Sequence, residues 1–249
     1  MLSAIRVERI KARRQHDLPL ASGIALSVLL WASNMGMRTE DALASGYDAL
    51  LYAIPVMHTV VMPLGMAALA SRLWDMETKG QSCRLLFTAQ RRGHLFAAKA
   101  LRLLALDAWI VLLEGAGFFA LGTLRGFTRL PAAGQVAWLL LSTFAVNAML
   151  LFLQLLLAVR SGTQLLPLSL GMAGSLLGVF TAFMPPALCF LMPWSYYLPL
   201  SNMAMDWDRA TRICTFVPRA PGALPLLLSA VLGALFAVLA CRAIGQKEV

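Results

Sequence analysis

Residues 71–104 read "SRLWDMETKGQSCRLLFTAQRRGHLFAAKALRLL", a densely charged stretch in an otherwise oily chain. Seven basic residues, Arg72, Lys79, Arg84, Arg91, Arg92, Lys99 and Arg102, stand against two acids, Asp75 and Glu77, which leaves +5 over the stretch. On either side the sequence is apolar for roughly the 20 helical residues that cross about 30 Å of hydrocarbon. Greasy runs joined by short charged connections are the pattern of a polytopic membrane protein.

The whole-chain figures agree. With 59% hydrophobic and 13% charged residues and a mean hydropathy of +0.73, a chain of 249 residues has too little interior to be a water-soluble globule. A pI near 10.0 does not point to nucleic acid here, because the basic residues are divided among short segments and form no single patch.

Six runs are long enough to span a bilayer: residues 18–35, 49–70, 100–124, 135–159, 165–183 and 222–241. Their Leu, Ala, Gly and Met content, without strict alternation, predicts helices and not barrel strands, so the fold class is all-α with six transmembrane helices. The opening "MLSAIRVERIKARRQHD" has the charge of a signal peptide's leading region. Only a weak cleavage site follows, and the first run is read as a retained helix.

Orientation follows from Lys and Arg. Fifteen of the 21 fall on one face: Arg6, Arg9, Lys11, Arg13 and Arg14, the seven of the charged stretch, Arg160, Arg242 and Lys247. Arg38, Arg125, Arg129, Arg209, Arg212 and Arg219 fall on the other. The positive-inside tendency predicts that both termini and the charged stretch are cytoplasmic. No repeat or linker divides the chain, so residues 1–249 are read as one domain. Two connections are long, 71–99 inside and 185–221 outside, and are expected to contact a partner and a substrate respectively.

Catalytic constellations are scarce. His16, His58 and His94 are far apart, with no Cys or carboxylate at ligand spacing, so no metal site is expected and each His reads as a loop or span-end residue. No Gly-rich phosphate loop ending in Gly-Lys-Ser or Gly-Lys-Thr occurs. Ser33 and Ser195 lack a neighbouring base, so no catalytic residue is assigned. Any ATP would be held by another chain. Of the four cysteines, Cys83 and Cys241 fall on the reducing side and Cys189 and Cys214 near the outer face, where the two could pair; small apolar fillers are the favoured reading.

Two acids lie inside the third span. Asp107 and Glu114 are seven residues apart and share a helix face, at depths of roughly 6 Å and 16 Å if hydrocarbon begins near Leu103. A charge at the helix centre costs about 2.5–3.5 kcal/mol, so each must face protein or water, or be neutral. Asp107 is expected to pair with Arg102 or a neighbouring Arg. Glu114 has two open readings: a neutral acid hydrogen-bonded in the bundle, or a polar point in a substrate path.

Small-residue stripes, Gly174, Gly178 and Ala182 in the fifth span and Ser229, Gly233, Ala237 and Cys241 in the sixth, predict close helix packing. Between these spans runs "MPPALCFLMPWSYYLPLSNMAMDWDRATRICTFVPRAP", residues 184–221. Pro185, Pro186, Pro193 and Pro199 preclude one helix, and the apolar residues between them preclude a free loop. A broken hairpin dipping into the outer leaflet is predicted, with Trp194, Tyr196 and Tyr197 at headgroup level. Asp206 and Asp208, with Glu40, Asp41 and Asp48, would attract a cationic substrate or simply stay solvated.

The charged stretch needs a further reason. Its +5 would hold it against anionic lipid, but that leaves the apolar Leu85, Leu86 and Phe87 unexplained. A short amphipathic helix docked in a groove of a soluble subunit accounts for both.

Glu77 after the second span, then Gly80, the pair Leu85 and Leu86, Arg91 or Arg92, and Lys99 entering the third span resemble the membrane subunits of type 2 ATP-binding-cassette (ABC) exporters. "VERIKARR", residues 7–14, is similar to their interfacial elbow helix, and "MPWSYYLP", residues 192–199, to their re-entrant outer segment. Length, six spans and the lack of a fused ATPase bring the resemblance closest to lantibiotic immunity permeases. The family often has Pro before the Arg, where this chain has Ala89 and Gln90.

The resemblance implies a non-catalytic subunit of the bacterial cytoplasmic membrane, paired with a second permease, identical or homologous, and driven by a separate ABC ATPase dimer that holds ATP and Mg. It implies coupling to that ATPase through Glu77, Gly80, Arg84, Leu85, Leu86, Arg91 and Arg92, and a substrate path past Asp107 and Glu114. The cargo implied is a lantibiotic or similar amphipathic peptide, expelled in self-immunity. The alternatives are another hydrophobic cargo (drug, lipid or haem), an ion-coupled carrier or channel using Asp107 and Glu114, and a membrane-embedded enzyme, for which no reactive cluster is found.

Overall fold

The computed structural model describes residues 15–35, 39–79, 92–180, 184, 192–220 and 222–247. Among the described residues six α-helices run alternately up and down: α1 Asp17–Ser33, α2 Gly46–Lys79, α3 Arg92–Arg125, α4 Ala133–Ser161, α5 Leu165–Phe180 and α6 Ala223–Gln246. Between α5 and α6 lie a 3-10 turn, Pro193–Ser195, and an antiparallel hairpin, β1 Met203–Trp207 with β2 Cys214–Pro218. One end of the bundle carries the hairpin; the other gathers Arg72, Arg92, Lys99, Arg102 and Lys247.

Among the described residues four helices, α2, α3, α4 and α6, are long and apolar enough to cross a membrane. α1 and α5 are apolar but have 17 and 16 residues, about 25 Å each at 1.5 Å per residue. Outward-facing leucines, Leu26 and Leu30 on α1, Leu112 on α3, Leu176 on α5, Leu227 and Leu235 on α6, are exposed, as a lipid-facing surface requires. The chain is a multi-pass membrane protein.

The helix ends depart from expectation in one informative way. α2 continues to Lys79 and α3 begins at Arg92, so most of the expected long connection is helix. Past the apolar run, "SRLWDMETK" is rich in Arg, Leu, Met, Glu and Lys, good helix formers that need no lipid to propagate a turn. The central part, including Gly80, Cys83, Arg84, Leu85, Leu86, Phe87 and Arg91, lies outside the described residues, as do the expected elbow at 7–14, Ala182, and Pro185, Pro186 and Cys189.

Local chemistry sets the other ends. Asn34 closes α1 by donating its side-chain amide to Leu30 O at 2.7 Å, and Gln135 Oε1 accepts the Ala132 N–H at 3.1 Å at the start of α4. Gly162 ends α4 at φ +69°, a left-handed conformation natural to glycine.

Packing follows the small-residue stripes. A side chain at Gly178 would meet Thr59 O at 2.7 Å, and one at Gly171 would meet Ala67 Cβ at 2.6 Å, so α5 lies directly on α2. Pro63, inside α2, has no N–H to offer the Thr59 carbonyl four residues back, and the close approach of Gly178 covers that freed group. On α6, Ser229, Gly233, Ala240 and Ile244 are buried, with Gly233 against the backbone of Met149 on α4.

The hairpin corrects the all-α expectation. Its alternation, Met203, Met205 and Trp207 paired with Pro218, Phe216 and Cys214, turns one face to the bundle, where Phe216 packs 6.0 Å from Tyr52. Asp208 closes the turn by accepting from the Ala210 N–H at 2.9 Å and the Thr211 hydroxyl at 2.7 Å.

Candidate functional site

Lys99, Asp107 and Glu114 lie along one face of α3, within an arc of about 80° at 100° per residue. All three are buried, at 0%, 0% and 2% exposure. Each holds a different partner.

At the basic end, Lys99 Nζ donates to Glu77 Oε1 at 2.8 Å and to Leu73 O at 3.1 Å, with both charged side chains enclosed. This joins the last turns of α2 to the first turns of α3. Around it, Arg102 donates to Asp17 and, at 2.8 Å, to Gln15 Oε1, while Arg72 stands 3.8 Å from Asp17. Arg102 is therefore engaged at α1, and the expected Asp107–Arg102 pair does not form. Arg92 donates to Gly245 O, and Lys247 donates to Val159 O at 2.8 Å while lying 5.1 Å over the Trp74 ring. These contacts stitch α6 to α3, α4 and α2.

Deeper in the bundle, Asp107 Oδ1 accepts from Asn147 Nδ2 at 2.8 Å, and Asn147 Oδ1 accepts from the Tyr197 hydroxyl at 2.5 Å. The phenol fixes which side of the Asn147 amide is acceptor, leaving its NH₂ for the carboxylate. Tyr197 thus sits inside the bundle, fully buried, and not at headgroup level as its position beside Trp194 predicted. Its ring lies 5.3 Å from that of His58.

His58 Nε2 lies 3.0 Å from Glu114 Oε2, and its Nδ1 faces Thr143 Oγ1 at 3.5 Å. A single tautomer serves both: the Nε2–H donates to the carboxylate and Nδ1 accepts from the hydroxyl. From sequence His58 reads as a loop or span-end residue with no Cys or carboxylate at ligand spacing; it is a mid-helix residue of α2, flanked by Pro55 and Pro63, and its carboxylate partner is 56 residues away. Glu114 is thus held to His58 within the bundle.

The polar face of α4 completes the seam. Thr143, Asn147 and Gln154 are four and seven residues apart and all buried. Among the described residues, Asp107 Oδ2, Glu114 Oε1 and both amide atoms of Gln154 have no hydrogen-bond partner, so the seam keeps capacity for further polar contact.

The segment after α5 climbs this face. A side chain at Gly174, midway along α5, would strike the Trp194 indole. Tyr197 then reaches Asn147, Trp138 Nε1 donates to Leu200 O at 2.9 Å, and Asn202 Nδ2 donates to Gln135 O at 2.8 Å. From Asn147 to Gln135 the contacts move steadily toward the first turn of α4. From Met192 to Asn202 the chain therefore runs inside the bundle toward the hairpin.

At the hairpin end, a groove of about 260 Å³ is lined by Glu40, Asp41, Asp48, Arg129, Cys214 and Phe216 among others. Asp41 is occupied in part by the Leu43 and Ala44 N–H groups at 3.0 Å each. Cys214 is a buried free thiol and Cys241 a half-buried one. Among the described residues no three His, Cys, Asp or Glu converge to hold a metal ion.

Of the residues expected to couple to an ATPase, Glu77 and Arg92 are described and stand at the two mouths of the 80–91 connection; Gly80, Arg84, Leu85, Leu86 and Arg91 lie outside the described residues. The sequence reading missed His58, Thr143, Asn147, Gln154 and Tyr197 as a group. One signal was present, Asn147 and Gln154 seven residues apart in a strongly apolar helix, the same spacing as Asp107 and Glu114.

A family model described as ABC-2 family transporter protein matches residues 4–197, well over half of the 249-residue chain. No curated protein matches the sequence.

Proposed function

The chain belongs to the ABC-2 transporter family and is a membrane transporter permease, and from that premise we propose that it is the permease subunit of an ATP-driven exporter whose motor is a separate ABC ATPase dimer. A second permease, identical or homologous, stands beside it in the bacterial cytoplasmic membrane, with the basic end and both termini facing the cytoplasm. The observation that carries this reading is the enclosed Glu77–Lys99 pair. An ATPase working on the 80–91 connection needs a stiff base to push against, and the pair clamps together the two helices from which that connection springs. ATP and Mg act on the partner, and this chain's Glu77, Gly80, Arg84, Leu85, Leu86, Arg91 and Arg92 receive the movement.

For cargo, we propose a lantibiotic or similar amphipathic peptide, taken from the membrane and expelled. Two features support it: a polar seam enclosed by apolar helices, with carboxylates at Asp107 and Glu114, and an outer groove with three acids, which favour a cationic group.

Two measurements test the reading. A separate ATPase should copurify with the intact chain and be lost when Leu85 and Leu86 are both changed to Asp; an intact chain that is active with no ATPase bound would overturn the proposal. Cells carrying the chain and that ATPase should survive a higher lantibiotic dose. Protection that persists after the ATPase is catalytically inactivated would sink the export reading.

A further inference from the structure

α2 and α3 are pinned to each other by enclosed polar contacts at two heights. Glu77 meets Lys99 near the basic end, and His58 meets Glu114 deep in the bundle. The pins are 15 residues apart on α3, about 22 Å at 1.5 Å per residue. Sliding or rolling either helix past the other breaks an enclosed ionisable contact at one pin, so the two pins couple the helices as a lever. α3 has no proline from Arg92 to Arg125, so its hydrogen-bond ladder runs uninterrupted between the pins, whereas α2 has Pro63 between His58 and Glu77; α3 is the stiffer member.

Tyr197, in another segment, is reached by both members of this two-helix lever, from α2 at the deep pin itself and from α3 between the pins by way of α4. The His58 ring packs against Tyr197 from α2, and Asp107 holds Tyr197 from α3 through the Asn147 amide. Tyr197 belongs to the segment Met192–Asn202, which also holds α4 through Trp138 to Leu200 O and Asn202 to Gln135 O. The segment is thus tied to α4 at three levels and to the lever at Tyr197. A shift of α2 and α3 against α4 must strain the Asp107–Asn147–Tyr197 chain, since Asn147 is on α4 and Asp107 is not.

We infer that Tyr197 is a latch: the Asp107–Asn147–Tyr197 chain holds segment Met192–Asn202 in the bundle while the Glu77–Lys99 pair is closed, and loosening that pair frees the segment. The inference deepens the permease reading and rests on it for the source of the movement. The coupling itself is a property of this chain. It links two sites through packed helices and two sets of discrete hydrogen bonds, each of which is either made or broken.

The test needs no nucleotide, so its failure is separate from failure of the exporter reading. In full-length chain reconstituted in nanodiscs, with Cys83, Cys189, Cys214 and Cys241 changed to Ser, Ser195→Cys supplies one thiol at a buried site of similar size. Its reaction rate with a water-soluble maleimide reports how often the segment opens. Tyr197→Phe should raise the rate roughly ten-fold, the size of losing one hydrogen bond that holds a closed state. Lys99→Met, whose site is eight residues from Asp107, should raise it similarly, and the exchange Glu77→Lys with Lys99→Glu should bring it back toward the reference. Because a lone buried charge can unfold the chain, Glu77→Met with Lys99→Met is a second arm and should also raise the rate. If Tyr197→Phe leaves the rate unchanged, there is no latch. If it raises the rate while Lys99→Met and the double Met variant both fold and react at the reference rate, the coupling is refuted.

Discussion

Lys99 Nζ stands 2.8 Å from Glu77 Oε1 with neither side chain reaching the surface, so the ammonium and carboxylate groups face each other inside a protein wall. Removing one member of a buried pair takes away the other's opposite charge and costs about 3–5 kcal/mol, whereas replacing both by apolar groups of similar volume is often neutral. Glu77→Met and Lys99→Met should each lower stability by that amount, and the double variant should be more stable than either. Equilibrium unfolding in mixed detergent micelles checks this; additive single effects would mean that the two residues do not act as a pair.

The contact of α5 with α2 depends on the absence of side chains. A Cβ at Gly178 would come within 2.7 Å of a backbone oxygen, which has no rotamer to give way. Gly178→Val should therefore cost about 1–3 kcal/mol by overpacking. Gly23 on α1 has nothing within 4 Å of the same atom, and Gly23→Ala should be neutral or stabilising by up to about 1 kcal/mol, since alanine is the better helix former. Thermal unfolding of both variants, read by fluorescence-detected size exclusion, separates close packing from a general intolerance of α-helical glycine replacement.

The helices were legible because lipid leaves a long apolar run few alternatives, and their starts and stops were off where that pressure ceased. Ser71 to Lys79 and Arg92 to Lys99 are charged, so a hydropathy reading put them in a connection, yet their helix propensity carries α2 and α3 onward. Asp107 and Glu114 stood out as acids in hydrocarbon, but what they bond to is a tertiary fact. Asn147 is 40 residues from Asp107 and Tyr197 is 50 from Asn147, and no local pattern signals such pairings. The hairpin was hidden by proline: Pro193 and Pro199 correctly argued against a helix, while the modest alternation of Met203 to Trp207 was absorbed into the same irregular segment.

The hairpin turn has a pH dependence of known sign. Hydrogen bonds from the Thr211 hydroxyl, and next from the Ala210 N–H, hold the exposed Asp208 carboxyl below its ordinary value. A group whose folded value is depressed adds stability that is present above its unfolded value and is lost as pH falls through the folded one. Protection of the Ala210 amide from hydrogen exchange, corrected for intrinsic rate, should thus be steady near neutrality and fall in the acidic range below the ordinary carboxylate value. Asp208→Ala should have low protection at every pH; unchanged protection in that variant would mean the turn is held by other contacts.

The two members of the His58–Glu114 contact should respond unequally. Glu114→Gln keeps an oxygen where Oε2 accepts the His58 Nε2–H, so the imidazole stays satisfied and the loss should be about 1 kcal/mol or less. His58→Ala instead leaves a carboxyl with one oxygen already lacking a partner and the other newly deprived, and it removes the ring that packs on Tyr197. A cavity and an unsatisfied acid act together there, and about 2–5 kcal/mol is expected. Replacing His58 by Gln, which can still donate to Glu114 but has no ring, should fall between the two. Unfolding measurements that ranked Glu114→Gln as the most damaging of the three would show that Glu114 has a larger duty in the fold than holding His58, and would move the lower pin of the α2–α3 lever elsewhere.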